Sequence, residues 1–245
     1  AAQENNIKLE TAENYYRRPT ERIKRELILA GVFGNVNVVY SDFVGHGYHG
    51  VGLLRSYIGF DVKVTRVTGF VHDYPIQNHI WRAGQPPRNT ENWQHGVLEF
   101  ENNARGIFSF SSLSYSSPLR WGREKNQIRF YAEKGMGVGE DLMVLGEGDQ
   151  SCPIGLERRT VEVQGREVLD AYVADTTPEI TWKNPLSEYP LSDGELIVAC
   201  EILSIARAVS EDIEPEYGAH NGRIDREVDL AMSFSWSHNN ESVEL

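Results

Sequence analysis

Two histidines lie within one glycine-rich turn of the sequence, at a spacing that could support proton transfer. The turn opens the stretch Gly45–Gly59, which lies between two extended segments and predicts a helix from its apolar spacing. His46 and His49 are three residues apart, so both side chains would lie on the exposed first turn of that helix. An imidazole titrates near neutral pH, which makes His49 a candidate for proton transfer, with His46 and Tyr48 as polar neighbours. A structural histidine that closes the helix N-terminus is the alternative, and the residue types alone do not separate the two.

The same turn permits two further interpretations. Gly45-x-Gly47-x-x-Gly50 matches the dinucleotide-binding fingerprint, and Asp73 follows at the offset expected of a ribose-binding acid. Against this, bulky side chains occupy positions where the fingerprint needs bare backbone beside a pyrophosphate, and no second strand–helix–strand unit follows. The two histidines could instead bind zinc, but a catalytic zinc site needs a third protein ligand. Neither an HExxH nor a CxxC pattern supplies that ligand, so we predict no metal site.

The composition excludes several classes of function. The 245 residues include 24 basic and 36 acidic side chains, and the resulting net charge of -12 would repel a nucleic-acid backbone. No apolar run approaches the roughly 18 residues of a membrane span, and the first residues lack the apolar core of a signal peptide. Cys152 and Cys200 are too few and too isolated to indicate a disulfide scaffold. We therefore expect a cytoplasmic protein with two reduced thiols, which binds neither nucleic acid nor membrane.

A long polar segment beyond the predicted helix carries aromatic and basic side chains suited to sugar binding. The segment runs from Tyr74 to Asn92 and is predicted to be a loop because it is polar. A flat indole suits the C–H face of a pyranose, and an arginine donates hydrogen bonds to hydroxyl groups. His79, Trp81 and Arg82 are therefore candidate substrate contacts. A surface lid anchored by its tryptophan is the structural alternative.

The order of predicted elements indicates an α+β fold. A helix that begins at Pro19 precedes the glycine-rich turn, and strands dominate the middle of the chain. Ser192-x-x-Glu195 forms a capping box before a helix that is apolar nearly all round, as expected of a helix buried against a sheet. A last helix follows from about Gly222. We expect one large, mainly antiparallel open β-sheet with helices on one face, in which an uncovered face needs a partner. The predicted strands of this sheet are 62–70, 93–100, 106–111, 127–132, 137–145, 156–163 and 180–183.

Several short motifs occur in an order that is found in a known protein family. The family has a stretch of the form Asp-x-Gly-x-His-x-x-Asp-Leu-Leu-x-x-Leu-x-Gly that opens a helix. Upstream, Tyr16-Arg17-Arg18-Pro19 and Gly31-Val32-Phe33-Gly34 resemble the family's passage out of its nucleotide-binding domain. The chain therefore resembles the C-terminal domain of the glucose–fructose oxidoreductase / inositol dehydrogenase / rhizopine catabolism (Gfo/Idh/MocA) family of NAD(P)-dependent oxidoreductases. The positions that fall on the frame of the first motif are Gly47, His49, Leu53, Leu54 and Gly59.

The resemblance implies a division into two domains. Residues 1–18 would be the tail of a nucleotide-binding Rossmann domain, and residues 19–245 would be the substrate-binding and oligomerisation domain. NAD or NADP would be bound mainly by the missing N-terminal domain, which in the family also carries a catalytic lysine. The substrate would be a sugar or polyol, and the open sheet face would pair copies of the chain in a homo-oligomer.

The resemblance also implies roles for individual residues. His49 stands at the family's catalytic histidine, and His46 could assist it, whereas Gly45 and Gly52 stand where the family has two aspartates. The implied function is the substrate and oligomerisation half of an NAD(P)-dependent oxidoreductase that acts on a sugar or polyol hydroxyl. The missing aspartates favour the alternative of a non-catalytic binding or assembly subunit that retains the sheet. The candidate substrate contacts are Tyr48, Tyr16, Arg17, Arg18, His79, Trp81 and Arg82.

Overall fold

The fold is built on a large sheet, a separate small sheet and α-helices that connect and cover them. The computed structural model describes residues 3–5, 7–42, 45–80, 84–111 and 128–245. The helices are α1 (Pro19–Leu29), α2 (Gly47–Ile58), α3 (Asp193–Ser210) and α4 (Ala219–Ser237). The strands are β1 (Val36–Asp42), β2 (Val64–His79), β3 (Arg88–Phe100), β4 (Arg105–Ser111), β5 (Ile128–Ala132), β6 (Gly135–Val138), β7 (Asp141–Leu145), β8 (Ser151–Ile154), β9 (Leu156–Val163), β10 (Arg166–Ala174), β11 (Ile180–Lys183) and β12 (Val243–Glu244).

The large sheet is mixed, where the sequence led us to expect a mainly antiparallel one. Its nine strands lie in the order β12-β2-β3-β4-β1-β5-β6-β7-β8. β1 runs parallel to β4, with Val39 opposite Gly106, and antiparallel to β5 on its other side. The parallel pair arises because the chain leaves β1 through α2 and the β2–β3 hairpin before it returns as β4. The predicted α+β class, with one large sheet and helices, is confirmed.

Two of the predicted strands belong to the small sheet instead of continuing the large one. β9, β10 and β11 pair antiparallel, with β10 in the centre. Buried side chains are concentrated in β10, whereas β9 is exposed along most of its length. Periodicity identifies a strand but not the sheet that it joins, so the sequence did not reveal this division. α1 packs against β10 and β11, so the small sheet is attached to the rest of the fold through this helix.

The segment predicted as a polar loop is a long β-hairpin. β2 and β3 pair antiparallel through it, with Asp73 opposite Asn92. Main-chain hydrogen bonds carry this pairing and need no apolar side chains, so the polar composition concealed the strands. His79 is the last residue of β2 instead of a loop residue. Trp81 and Arg82 lie outside the described residues.

Two helices pack on the same face of the large sheet and carry the candidate site. α2 lies over β1 and β4, where Gly50 meets the ring of Phe108 with no room for a larger side chain. α4 lies over β2, and the Met232 backbone approaches Gly69 so closely that a Cβ atom there would clash. α2 and α4 also contact each other, and their buried apolar residues join one core with the strands beneath them.

α3 is less buried than its sequence led us to expect. The predicted capping box is present, and the Ser192 N–H donates to the Glu195 carboxylate at 2.8 Å. Only one side of the helix faces the core, because no sheet covers the opposite side. Val198, Ile202 and Val209 on that side are 49%, 64% and 67% exposed, and we name them the α3 stripe. Neither α3 nor another helix in the described part of the chain is long and apolar enough to span a membrane.

Candidate functional site

The N-terminus of α2 brings the polar side chains of the glycine-rich turn together. His46 is the N-cap residue, and Gly47 opens the helix with a φ of 47°, a left-handed conformation that glycine adopts without strain. The centroid of the His49 ring lies 4.3 Å from that of Tyr48 and 5.1 Å from that of His46. His46 also contacts Phe110 on β4, with 5.7 Å between ring centroids. The structure therefore gathers His49, His46 and Tyr48 beside the last residues of β4.

A buried carboxylate from the N-terminal segment binds the His49 ring. Glu13 Oε2 lies 2.6 Å from His49 Nδ1, and Glu13 is fully buried. The second oxygen, Oε1, accepts a hydrogen bond from the Tyr15 N–H at 3.0 Å. The Tyr15 ring packs on His49 with 5.1 Å between centroids, and 18% of the His49 side chain is exposed. One ring nitrogen of His49 therefore faces a fixed carboxylate, while part of the ring reaches solvent.

Sequence reasoning missed Glu13, which lies 36 positions before His49 in a different element. The available signal was the pair of glycines at the family's aspartate positions, because a catalytic histidine without its usual acid needs another one. A Cβ atom on Gly45 would lie 2.5 Å from Tyr15 Cε2, and one on Gly52 would lie 3.2 Å from Glu13 Cγ. The space that the two aspartates would need is therefore taken by Tyr15 at Gly45, and by Asp225, Tyr217 and Glu13 at Gly52.

A buried polar network beneath the site joins α2 to α4. Arg55 Nη1 donates to Asp225 Oδ1 at 2.7 Å, and the Tyr217 hydroxyl donates to Asp225 Oδ2. Arg55 Nη2 also donates to Asn221 Oδ1 at 2.9 Å. Burial raises the pKa of Asp225 to about 6, although the Arg55 charge opposes the shift. A Cβ atom on Gly52 would lie 3.0 Å from Asp225 Oδ2, so this network forms the floor of the site.

The three candidate residues before α1 divide into a buried pair and a more exposed cation. Tyr16 is fully buried in the core, where burial raises the pKa of its hydroxyl. The Arg17 side chain is also fully buried and forms ion pairs with two glutamates. The structure therefore places Tyr16 and Arg17 behind the site, without access to its open side. Arg18 is nearer, since its Cζ lies 4.4 Å from the centroid of the Tyr15 ring that packs on His49.

A row of amide and carboxyl side chains lies on the sheet beside the histidines. Gln94 Nε2 donates to Asn92 Oδ1 at 2.7 Å, and Asn92 Nδ2 donates to Asp73 Oδ1 at 2.7 Å. Gln94 pairs across the strands with Phe110, whose ring contacts His46. We name these three residues, Asp73, Asn92 and Gln94, the amide row. Their side chains offer both donors and acceptors for hydroxyl groups, and the loop prediction for this segment concealed their alignment.

The glycine-rich turn does not have the form of a dinucleotide cradle. The rings of Tyr15 and Phe108 fill the space beside its first and last glycines. A Cβ atom on Gly47 would lie 3.1 Å from Asp229 Oδ1, which puts an acidic group where a pyrophosphate would bind. β1 and β2 are not neighbours in the sheet, so no strand–helix–strand unit forms around α2. These residues do not fit the pyrophosphate of NAD(P). In the described part of the chain, no three histidine, cysteine, aspartate or glutamate side chains are grouped to hold a metal ion.

Comparison with solved structures identifies proteins of the same fold. Neither a protein-family model nor a curated protein matches the chain by sequence. In structure it is similar to levoglucosan dehydrogenase in complex with NADH, with a TM-score of 0.63, 16% identity and coverage of 98% of this chain and 66% of that chain. It is also similar to aldose-aldose oxidoreductase from Caulobacter crescentus complexed with glycerol (TM-score 0.58, 15% identity, 99% and 65% coverage). An oxidoreductase from Agrobacterium radiobacter in complex with NAD+, L-tartaric acid and magnesium is similar at a TM-score of 0.57, 14% identity and 99% and 66% coverage. The chain shares their fold.

The matched proteins are longer than this chain. The chain spans about two thirds of their length, while nearly all of its own residues are matched. These solved structures are of oxidoreductases, so the predicted resemblance to the Gfo/Idh/MocA family is supported at the level of the fold. The NADH, NAD+, levoglucosan and glycerol in their descriptions are ligands of those proteins.

Proposed function

We propose that the chain is the substrate-binding and oligomerisation domain of an NAD(P)-dependent oxidoreductase that acts on a sugar or polyol hydroxyl. The observation that carries the proposal is the half-buried His49 imidazole, bound by a buried carboxylate, in a fold shared with NADH- and NAD+-bound oxidoreductases. Residues 1–18 would lead in from a nucleotide-binding unit, and residues 19–245 would form the domain itself.

The part of the reaction that the described residues support is proton transfer. In an NAD(P)-dependent oxidoreductase the nicotinamide supplies the hydride acceptor or donor. The other requirement is a base that takes the hydroxyl proton as the carbonyl forms, and returns it in the reverse direction. His49 suits that role, because Nδ1 is bound to Glu13 and no hydrogen bond of Nε2 occurs among the described residues. His46, in ring contact with His49, is the proposed assisting residue.

The surroundings of His49 suit a substrate with several hydroxyl groups. Tyr48 is 37% exposed beside the His49 ring, and the amide row adds donors and acceptors along the sheet. Levoglucosan and glycerol, bound by proteins of the same fold, are such molecules. His79, Trp81 and Arg82 stay proposed contacts, since their side chains lie outside the described part of the chain.

The α3 stripe supports docking of a nucleotide-binding unit. Exposed apolar residues on one helix face indicate a contact surface. α3 packs against the segment before α1, because Arg17 Nη1 donates to the Cys200 carbonyl at 3.5 Å. A nucleotide-binding unit joined through residues 1–18 would therefore lie near the α3 stripe. We propose this unit as the occupant of the stripe.

The open face of the large sheet supports the proposed homo-oligomer. Alternation along β2 points Phe70 and Tyr74 away from Gly69, which faces α4. The two rings are 43% and 49% exposed. A second copy of the chain is the proposed occupant of this face.

His49→Ala tests the catalytic role in the full-length polypeptide encoded by the gene. With NAD+ or NADP+ and a panel of sugars and polyols, we expect turnover to fall by about 10²–10⁴-fold, because the proton acceptor is lost. His220→Ala, which changes an exposed histidine on α4, is the matched control and should keep the wild-type rate. An unchanged rate in His49→Ala would remove the assignment.

The second candidate function is a non-catalytic binding or assembly subunit. The closed space at Gly45 and Gly52 favours it, since the family's acidic positions cannot be restored there. The two functions separate when the full-length polypeptide is titrated with NADH while its tryptophan fluorescence is followed. Quenching at micromolar NADH supports the oxidoreductase, whereas no binding up to millimolar NADH supports the assembly subunit.

A further inference from the structure

We propose that Glu13 is the positioning residue of His49: its carboxylate keeps a proton on Nδ1 and leaves Nε2 to exchange a proton with the substrate hydroxyl. The chemical meaning of this assignment rests on the proposed function. The pair itself is a property of this chain and can be measured without a cofactor or substrate.

The geometry of the carboxylate determines which nitrogen carries the proton. An ionised carboxylate accepts hydrogen bonds and cannot donate one, so the 2.6 Å contact from Glu13 Oε2 to His49 Nδ1 needs a proton on Nδ1. A distance below 2.7 Å is at the short end of the range for charge-assisted hydrogen bonds. The Tyr15 N–H donates to Oε1 at 3.0 Å, and this second bond prevents the carboxylate from turning away from the ring.

The other neighbours of His49 restrict the ring but do not select its tautomer. The rings of Tyr15, Tyr48 and His46 pack around it at centroid distances of 5.1, 4.3 and 5.1 Å. Within the described residues, Glu13 is the one hydrogen-bond partner of the imidazole. The choice between the two neutral tautomers therefore depends on this carboxylate.

The arrangement gives the proton a defined path. In the proposed enzyme, oxidation of the substrate hydroxyl would break its O–H bond and bring the proton to Nε2, and NAD(P)+ would accept the hydride from the same carbon. The resulting imidazolium is stabilised by the adjacent Glu13 carboxylate, and the reverse reaction returns the proton to the carbonyl oxygen. The places of the family's two acids are closed at Gly45 and Gly52, so the described part of the chain supplies this carboxylate from another segment.

Nitrogen-15 NMR of the histidine-labelled chain tests the tautomer directly. At a pH where His49 is neutral, we expect a protonated Nδ1 and an unprotonated Nε2. His220, which is exposed, provides a reference for an unconstrained ring in the same spectrum. A His49 signal with the proton on Nε2 would overturn the proposal from the wild-type protein alone, whether or not any variant folds.

Glu13→Gln is the decisive substitution, because it keeps the shape and leaves one acceptor oxygen for two donors. If that oxygen binds the Tyr15 N–H, the amide group faces Nδ1 as a donor, and the His49 proton should move to Nε2. Glu10→Gln is the matched control, since Glu10 is a buried carboxylate of the same segment that pairs with Arg17. The control should keep the wild-type tautomer, and an unchanged tautomer in Glu13→Gln would contradict the proposal.

Turnover of the full-length polypeptide separates this proposal from the proposed function. In an active enzyme, Glu13→Gln should lower kcat by about 10²-fold or more and change KM less, because the group acts on the proton acceptor. Activity with the predicted kcat loss and the predicted tautomer supports both. Activity that Glu13→Gln leaves intact overturns the positioning role and keeps the function. No activity with any hydroxyl substrate, together with the predicted tautomer, overturns the function and keeps the pair.

Discussion

The packing at Gly45 and Gly52 determines which part of the chain can supply the carboxylate of the site. Any side chain at Gly45 would enter the ring of Tyr15, and any side chain at Gly52 would press on Glu13 and Asp225. Tyr15 and Glu13 belong to one short segment, so the same residues that exclude an acid from α2 deliver one to His49. The same packing therefore positions the imidazole and requires glycine at these two positions.

Gly45→Ala tests the closed packing at this residue. The added Cβ would lie 2.5 Å from Tyr15 Cε2, so we expect a loss of about 1–3 kcal/mol in the free energy of unfolding. Gly194→Ala is the control, because it adds a Cβ in the first turn of α3 with no atom within 4 Å. That variant should be neutral or stabilised by up to about 1 kcal/mol in urea denaturation. Equal stabilities for the two variants would show that the site has room at Gly45.

The histidines could be predicted from sequence, but their partner could not. Residue type, three-residue spacing and a glycine-rich helix start are local properties, and they placed His49 on the first turn of α2, whereas His46 is its N-cap residue. Glu13 approaches His49 only through tertiary packing across 36 positions. The same limit explains Tyr16 and Arg17, whose types suggested substrate contacts although the fold buries both side chains.

At the level of elements, α2 and α4 are joined by charge as well as by apolar packing. Arg55 of α2 and Asp225 of α4 form a buried ion pair, and the Tyr217 hydroxyl donates a hydrogen bond to the second carboxyl oxygen of Asp225. A buried pair of this kind fixes which faces of two helices meet, because breaking it leaves a charge without a partner. The join holds α2 and α4 together beside Glu13, whose Cγ would lie 3.2 Å from a Cβ atom on Gly52.

The raised pKa of Asp225 predicts a pH dependence of stability. Its value is about 6 in the fold and 3.8 in an unfolded chain, so the folded state binds more protons between these values. The contribution of Asp225 to the free energy of unfolding should therefore fall as pH rises from about 4 to 6, by about 3 kcal/mol at most. Urea denaturation of the wild type and Asp225→Asn across this range measures it. The free energy of unfolding of the wild type minus that of Asp225→Asn should decrease as pH rises. A difference that stays constant or increases would contradict the effect of burial on Asp225.

Strands were easier to predict than the sheets they form. Alternation identified β3 and β4 as strands, but the assignment of β9 and β11 to a second sheet depends on tertiary packing, in which α1 contacts β10 and β11. The β2–β3 hairpin was hidden for a different reason. Its outer part is polar because it extends beyond the helices. The sequence there therefore lacks the alternating apolar residues that would indicate a strand.

On the scale of the whole molecule, two groups among the exposed apolar side chains of the described residues each share one surface. The α3 stripe lies on the exposed side of α3, and the open face of the large sheet lies on the side away from α2 and α4. An average monomer exposes scattered apolar side chains, whereas contiguous ones mark contact surfaces. The two surfaces face different partners in the proposed assembly, a nucleotide-binding unit and a second copy.

Ile202→Gln tests whether the α3 stripe is a contact surface or part of the core. Ile202 is 64% exposed, so its replacement should change the free energy of unfolding by no more than about 0.5 kcal/mol. Leu196→Ala, at a residue that is 1% exposed on the same helix, should cost about 2–5 kcal/mol. Chemical denaturation gives both values, and binding of the dye ANS should fall in Ile202→Gln alone. A loss in Ile202→Gln as large as that in Leu196→Ala would place the stripe inside the core.

The carboxylate of the site belongs to Glu13, which lies in a short segment, residues 10–13, before α1. The Thr11 N–H donates to the Tyr217 carbonyl at 2.9 Å, and Glu10 forms a bridge with Gly218, so backbone bonds tie this segment to the residues just ahead of α4. Peeling these residues away would strip His49 of its counter-charge while the nine-stranded sheet stayed assembled.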